Sequence, residues 1–171
     1  KPCPGAPGPL EAYARRFDGC FASLAQRRAF RAYVTGLLLP RDRNKTLTAL
    51  AGTEPVVGAQ HPAAQQLQYF LSEAAWDAEV VNARRLDGLL ADPATRPHAG
   101  CVLVLDDTGA RKDGTKTAHV ARQYLGVIGK VDNGIVAVSS LWADERIYYP
   151  LHTAPYTPAS RLPSGRRDPA F

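Results

Sequence analysis

The stretch CVLVLDDTGARKDGTK, residues 101–116, decides how the second half of the chain is read. A short apolar run, Val102 to Leu105, leads into Asp106 and Asp107, then Thr108-Gly109, then Arg111, Lys112 and Lys116. Such a run, bounded by turn-forming residues, predicts a short buried strand. Two carboxylates would then stand at its tip. Asp-Thr-Gly is also a common turn, in which one aspartate caps the bend and the other faces water. The alternative is a metal-binding carboxylate. A strand end fixed by its ladder holds an acid rigidly, and hard cations such as Mg²⁺ prefer carboxylate oxygens. A pair of such ions roughly 4 Å apart activates water and stabilises the leaving oxygen in phosphodiester cleavage. Arg111, Lys112, Lys116, Arg122 and Lys130 would then face a nucleic-acid backbone. Taken singly, each is as easily a solvated turn or strand-edge charge.

Two other chemistries are excluded at this point. An aspartyl-phosphate hydrolase needs a second acid two positions after the first, where Thr108 stands. YLGVIGKV is reminiscent of a phosphate loop, but Tyr124 takes the place of its first glycine and Val131 that of its Ser/Thr.

On the C-terminal side, TAHVARQYLGVIG and NGIVAVSSLWA carry strand-like alternation, with Gly109, Gly114, Gly126, Gly129 and Gly134 in the turns. Three strands in antiparallel meander order are predicted. From Tyr149 onward, five prolines predict an extended coil. On the N-terminal side, PATRPHAG (Pro93–Gly100) marks a boundary, and residues 10–92 read as helices. Leu10, Tyr13, Phe17, Phe21 and Leu24 recur at spacings of three and four, with Gly19 marking a bend. Phe30, Tyr33, Val34, Leu37 and Leu38 share one face and Arg27, Arg28 and Arg31 the other, until Pro40 stops the helix. RDRNKTLTALAG predicts a short basic helix closed by Gly52. Pro62 suits a first helical position, and Asp77 an N-cap flanked by a Trp76–Val81 staple. The predicted organisation is a Pro/Gly tract over 1–9, a helical domain over 10–97 and a sheet-bearing domain over 98–171. The Lys1 start predicts a processed, truncated or cut end.

Composition sets broad bounds. The 171 residues carry a formal charge of +5, which permits an anionic partner without requiring one. Cys3, Cys20 and Cys101 form no CxxC pair, so neither a disulfide framework nor a zinc site is expected, and a reducing cytosol is the default. No apolar run approaches a membrane span. His61, His98, His119 and His152 are scattered and read as structural or surface residues.

The ordered set Asp106-Asp107-Thr108-Gly109, Lys112, Gly114, Ala121-Arg122-Gln123-Tyr124, Gly126, Gly129-Lys130 and Asn133 resembles the core of the insertion-sequence transposases of the DDE superfamily endonuclease group, insertion sequence 701-like. GLLLPRDRNK and QYFLSEAAWD resemble the signatures of its helical half, so the similarity spans residues 10–171. The resemblance implies an α+β chain, with an all-helical, DNA-binding domain followed by the first three strands of an RNase H-like domain, incomplete. It implies metal-dependent cleavage and strand transfer of double-stranded DNA at terminal inverted repeats, with Mg²⁺ or Mn²⁺ held by three acids. It allows a homodimer in a transposition complex and places the protein in the cytoplasm, nucleoid-associated, with no membrane partner. The first acid falls on Asp106, as catalytic residue and metal ligand, with Asp107 the alternative. DNA contacts fall on Arg111, Lys112, Lys116, Arg122, Lys130, Arg41, Arg43 and Lys45. The second aspartate and the glutamate of the family pattern have no counterpart. Asp132, Asp144, Glu145 and Asp168 stand in none of its positions. The chain is therefore expected to be inactive alone, as a transposase fragment or as a non-catalytic DNA-binding remnant. A protein-interaction fragment is the remaining reading.

Overall fold

The computed structural model describes residues 8–40, 46–53 and 60–169. Contacts divide the chain into two compact units, Lys1–Asp87 and Gly88–Phe171.

In the first unit, α1 (Pro9–Arg15) leads through a 3-10 turn at Asp18–Cys20 into α2 (Leu24–Leu38). The bend therefore opens before Gly19, and α2 starts afresh. A reciprocal capping box initiates it: Gln26 N–H donates to Ser23 Oγ, and Ser23 N–H donates to Gln26 Oε1. Helix α2 stops at Leu38, ahead of Pro40. Helix α3 (Leu47–Leu50) is capped by Thr46 and followed by Gly52 at φ +67°. Gly36 lies against the Leu50 carbonyl, too close to admit a Cβ. Helix α4 (Pro62–Ser72) has its proline in the first turn. Helix α5 (Ala78–Ala91) begins at Asp77, whose Oδ1 accepts the Glu79 N–H.

The core of this unit is Ala14, Phe17, Phe21, Ala29, Phe30 and Phe70, with Trp76 and Val81 packed against it. Phe70 and Trp76 stack at 5.1 Å, and the Trp76 indole N–H donates to the Phe70 carbonyl at 2.6 Å.

The second unit is a four-stranded antiparallel sheet: β1 (Val102–Arg111), β2 (Ala121–Leu125), β3 (Lys130–Ala143) and β4 (Tyr148–Pro155). It is not a plain meander. Strand β3 is central, with β1 along one edge. The other edge is shared end to end by β2, opposite Lys130–Gly134, and β4, opposite Ala137–Ala143.

Two expectations are corrected. The apolar run does not end in the two aspartates, because β1 continues to Arg111 and pairs Thr108–Arg111 with Ala137–Gly134. The region after Tyr149 is not all coil. Residues 148–155 form a strand despite Pro150, which sits at the register shift opposite Ser140/Leu141, on an edge where a missing N–H breaks little.

Strand β1 is not buried either: Leu103 is 67% and Leu105 70% exposed. The few fully buried side chains of this unit include Val120 and Leu125. Leu125 lies over Gly109 and Gly134, where an added Cβ would meet its atoms at 3.0 and 2.8 Å. Both glycines exist for this close approach.

Candidate active site on the central sheet

Asp106 sits in the middle of β1, opposite Ser139 of β3, which is in turn opposite Thr153 of β4. Directly opposed residues share a face of the sheet. One surface therefore carries Asp106, Ser139 and Thr153, with Thr108 two residues along. The Ser139 and Thr153 hydroxyls bond across the strands at 2.9 Å. Asp107, opposite Val138 and Ala154, lies on the other face with Leu103 and Leu105. Both aspartates are exposed. Among the described residues, neither belongs to a group of three potential metal ligands. Among the described residues, no set of side chains completes a metal site at Asp106.

The sheet end beyond Asp106 is cationic. Arg111 Nε and Lys130 Nζ approach Asp132 Oδ2 at 3.5 and 3.8 Å, and Arg111 also reaches Asp113 at 3.9 Å. The Asp132 carboxyl is held below the ordinary aspartate range, first by the Asn133 N–H it accepts and then by Arg111, Lys130 and Arg122. Lys112, Lys116 and Arg122 are exposed nearby. Five cations thus face two acids. Arg41, Arg43 and Lys45 lie outside the described residues.

Several residues that shape this end were not singled out by chemistry in the sequence. Asn133 Nδ2 donates to the Lys112 and Gly114 carbonyls, holding the loop after β1. Arg161 donates from Nε to the Val120 carbonyl at 2.7 Å and from Nη2 to the Thr115 carbonyl. His119, at φ +64°, places Nδ1 2.8 Å from Thr157 Oγ1. The C-terminal segment thereby clamps the loop that carries Lys112 and Lys116. An arginine in a proline-rich stretch gives no sequence signal of such a role.

In the helical unit, several basic residues are engaged internally. Arg31 forks onto Glu11 and Asp18, both at 2.7 Å. Arg15 pairs with Glu11, and Arg27 donates to the Phe21 carbonyl. Arg16 and Arg28 stay exposed.

One grouping was not anticipated. Ligand atoms of His98, Cys101 and Asp144 lie within 4.8 Å of one another. The sequence spacing argued against any such cluster.

The sequence that folds into this acid-bearing strand, antiparallel sheet and preceding helical unit is similar to known proteins. The family described as DDE superfamily endonuclease matches residues 16–170, and the chain belongs to it. Among individual proteins, it is 34% identical over 167 residues to the "Probable transposase for insertion sequence element IS701" of Microchaete diplosiphon. The match takes in 96% of this chain and 42% of that relative, so the chain spans less than half of the relative's length. No solved structure matches. Among the described residues, no helix is long and apolar enough to cross a membrane.

Proposed function

We propose that this chain is the N-terminal portion of a transposase that cleaves double-stranded DNA at the ends of an insertion sequence and transfers the strands. In this reading the antiparallel sheet supplies the first strands of an incomplete RNase H-like domain. Asp106 is the first of three metal-binding acids, for Mg²⁺ or Mn²⁺, and the other two come from sequence outside this chain. The observation that carries the reading is the placement of Asp106 in the middle of β1. There the ladder to β3 fixes its backbone, and its surface is shared with the Ser139–Thr153 hydroxyl pair. Asp107 is the weaker candidate, since its face carries Leu103 and Leu105, which a covering layer would bury. Arg111, Lys112, Lys116, Arg122 and Lys130 receive the DNA backbone; Arg41, Arg43 and Lys45 are proposed as a further contact. The helical domain runs through residue 97, and the protein works as a dimer on paired ends.

The test is a chimera in which residues 16–170 replace the matching segment of the Microchaete diplosiphon relative, assayed for excision of its element. Asp106→Asn abolishes excision and Asp107→Asn leaves it measurable; the reverse outcome removes the assignment. In the 171-residue chain itself, Lys130→Ala or Arg122→Ala weakens DNA binding and lowers the salt slope by about one per phosphate contact. A slope unchanged by either substitution removes the cationic end from the interface.

A further inference from the structure

We propose that His98, Cys101 and Asp144 form a binding site for a borderline-soft divalent cation, zinc being the type, that clasps the lead-in to β1 onto the β3–β4 turn. The site does not depend on the DNA-cleavage reading. It lies in the second unit, at the end of the β1–β3 ribbon away from Asp132.

The fold supplies the convergence. Val102 opposes Ala143 in the β1–β3 ladder, so Cys101, just before β1, and Asp144, just after β3, emerge side by side. Asp144 is fixed by one oxygen and turns the other to His98, where a cation would enter between them. Its Oδ1 accepts the Arg146 and Ile147 N–H groups at 2.7 and 2.8 Å, while Oδ2 faces His98 Nε2 at 3.1 Å. The Gly100 N–H donates to His98 Nδ1 at 3.1 Å, which leaves the ring proton on Nε2 in the metal-free chain. Cys101 is a free, half-buried thiol. A cavity of about 230 Å³ opens beside the cluster, lined by His98, Gly100, Asp144, Glu145 and Arg146.

The donor set selects the ion. Imidazole, thiolate and carboxylate suit zinc, at roughly 2.0–2.3 Å from each donor. Two such ligands in a tetrahedron stand roughly 3.3 Å apart, so the His98–Asp144 separation needs little adjustment. A thiolate ligand disfavours Mg²⁺, which seeks oxygen donors. Three protein ligands leave a fourth position for water or Glu145. The proton balance is simple. Coordination releases the Cys101 thiol proton to solvent and moves the imidazole proton from Nε2 to Nδ1. The Gly100 bond ends, and its exposed N–H turns to water.

The experiment uses the purified 171-residue chain. One zinc per chain is retained through gel filtration, and cobalt in its place gives a thiolate-to-metal charge-transfer band. Cys101→Ser and Asp144→Asn each weaken zinc binding at least about tenfold, whereas Cys20→Ser and excess Mg²⁺ leave it unchanged. Should the substituted chains fail to fold, the native chain still decides: zinc protects Cys101 from alkylation and leaves Cys20 reactive. Absence of stoichiometric zinc, absence of the cobalt–thiolate band, undiminished binding in Cys101→Ser, or equal alkylation of Cys101 with and without zinc overturns the site.

Discussion

The two units are held together differently. The helical unit closes on itself: four phenylalanines and Trp76 pack into one cluster, and Arg31 ties α1 and the 3-10 turn to α2 through Glu11 and Asp18. The sheet unit rests on backbone ladders, with Leu103 and Leu105 in the open and Leu125 buried over two glycines. Large apolar side chains left exposed in a row on a sheet belong under another layer. Of the candidate residues, the helical unit carries only the proposed DNA contacts Arg41, Arg43 and Lys45, outside the described residues. The unit with the bare face carries Asp106, the cationic end and the His98–Cys101–Asp144 cluster.

The sharpest way to break this contrast is to damage one side and watch the other. Phe70→Ala removes a ring that is 2% exposed and stacked on Trp76, and is expected to cost about 3–5 kcal/mol. In a Trp142→Phe background, Trp76 fluorescence during urea unfolding reports that loss. In a Trp76→Phe background, the Trp142 transition should stay where it was. A matching shift there would show that the units unfold together. Next in size is Gly134→Ala. Its Cβ would meet the Ala110 carbonyl at 2.6 Å and Leu125 Cδ1 at 2.8 Å, so about 1–3 kcal/mol is lost from the sheet alone. Amide exchange in β1 and β3 should quicken while α4 is unchanged.

Much of the helical unit was legible because its signals are local. Pro62 and the Asp77 cap each act within a turn or two of the residue that announces them. The sheet was legible in kind but not in extent. Asp-Thr-Gly reads as a turn, yet the strand runs through it, because Gly109 is needed beneath Leu125 rather than for a bend. Pro150 reads as coil, yet it falls at an irregularity of an edge strand. The His98–Cys101–Asp144 cluster was invisible for a different reason. Only the β1–β3 register brings its parts together, and spacing along the chain does not encode register.

A smaller effect separates the ion clamp from the aromatic core. Arg31 holds Glu11 and Asp18 below their ordinary carboxyl range, first through its hydrogen bonds to each. A depressed folded-state pKa adds stability that is complete above the ordinary carboxyl values and is lost as pH falls through the folded ones. Acid unfolding of the helical unit should therefore steepen below about pH 4, and Arg31→Met should flatten that limb. The substitution costs less at neutral pH than either packing change, since the carboxylates are largely solvent-screened. An unchanged acid limb would mean the clamp contributes nothing to the helical unit.

The smallest effect tests whether the sheet depends on side chains at all. Ser139 and Thr153 bond across β3 and β4 at an exposed site, and such cross-strand pairs contribute roughly 0.2–1 kcal/mol. Ser139→Ala and Thr153→Ala should each lie near the bottom of that range, with a double-mutant coupling to match. The backbone ladder from Ala137 to Ala143 remains intact in both. A coupling well above 1 kcal/mol would place real cohesion in the surface beside Asp106 and erase the distinction between a packed unit and a laddered one. A small coupling leaves the hydroxyl pair free of any need to hold the sheet. Its position next to the exposed aspartate then has to be accounted for by what that surface receives.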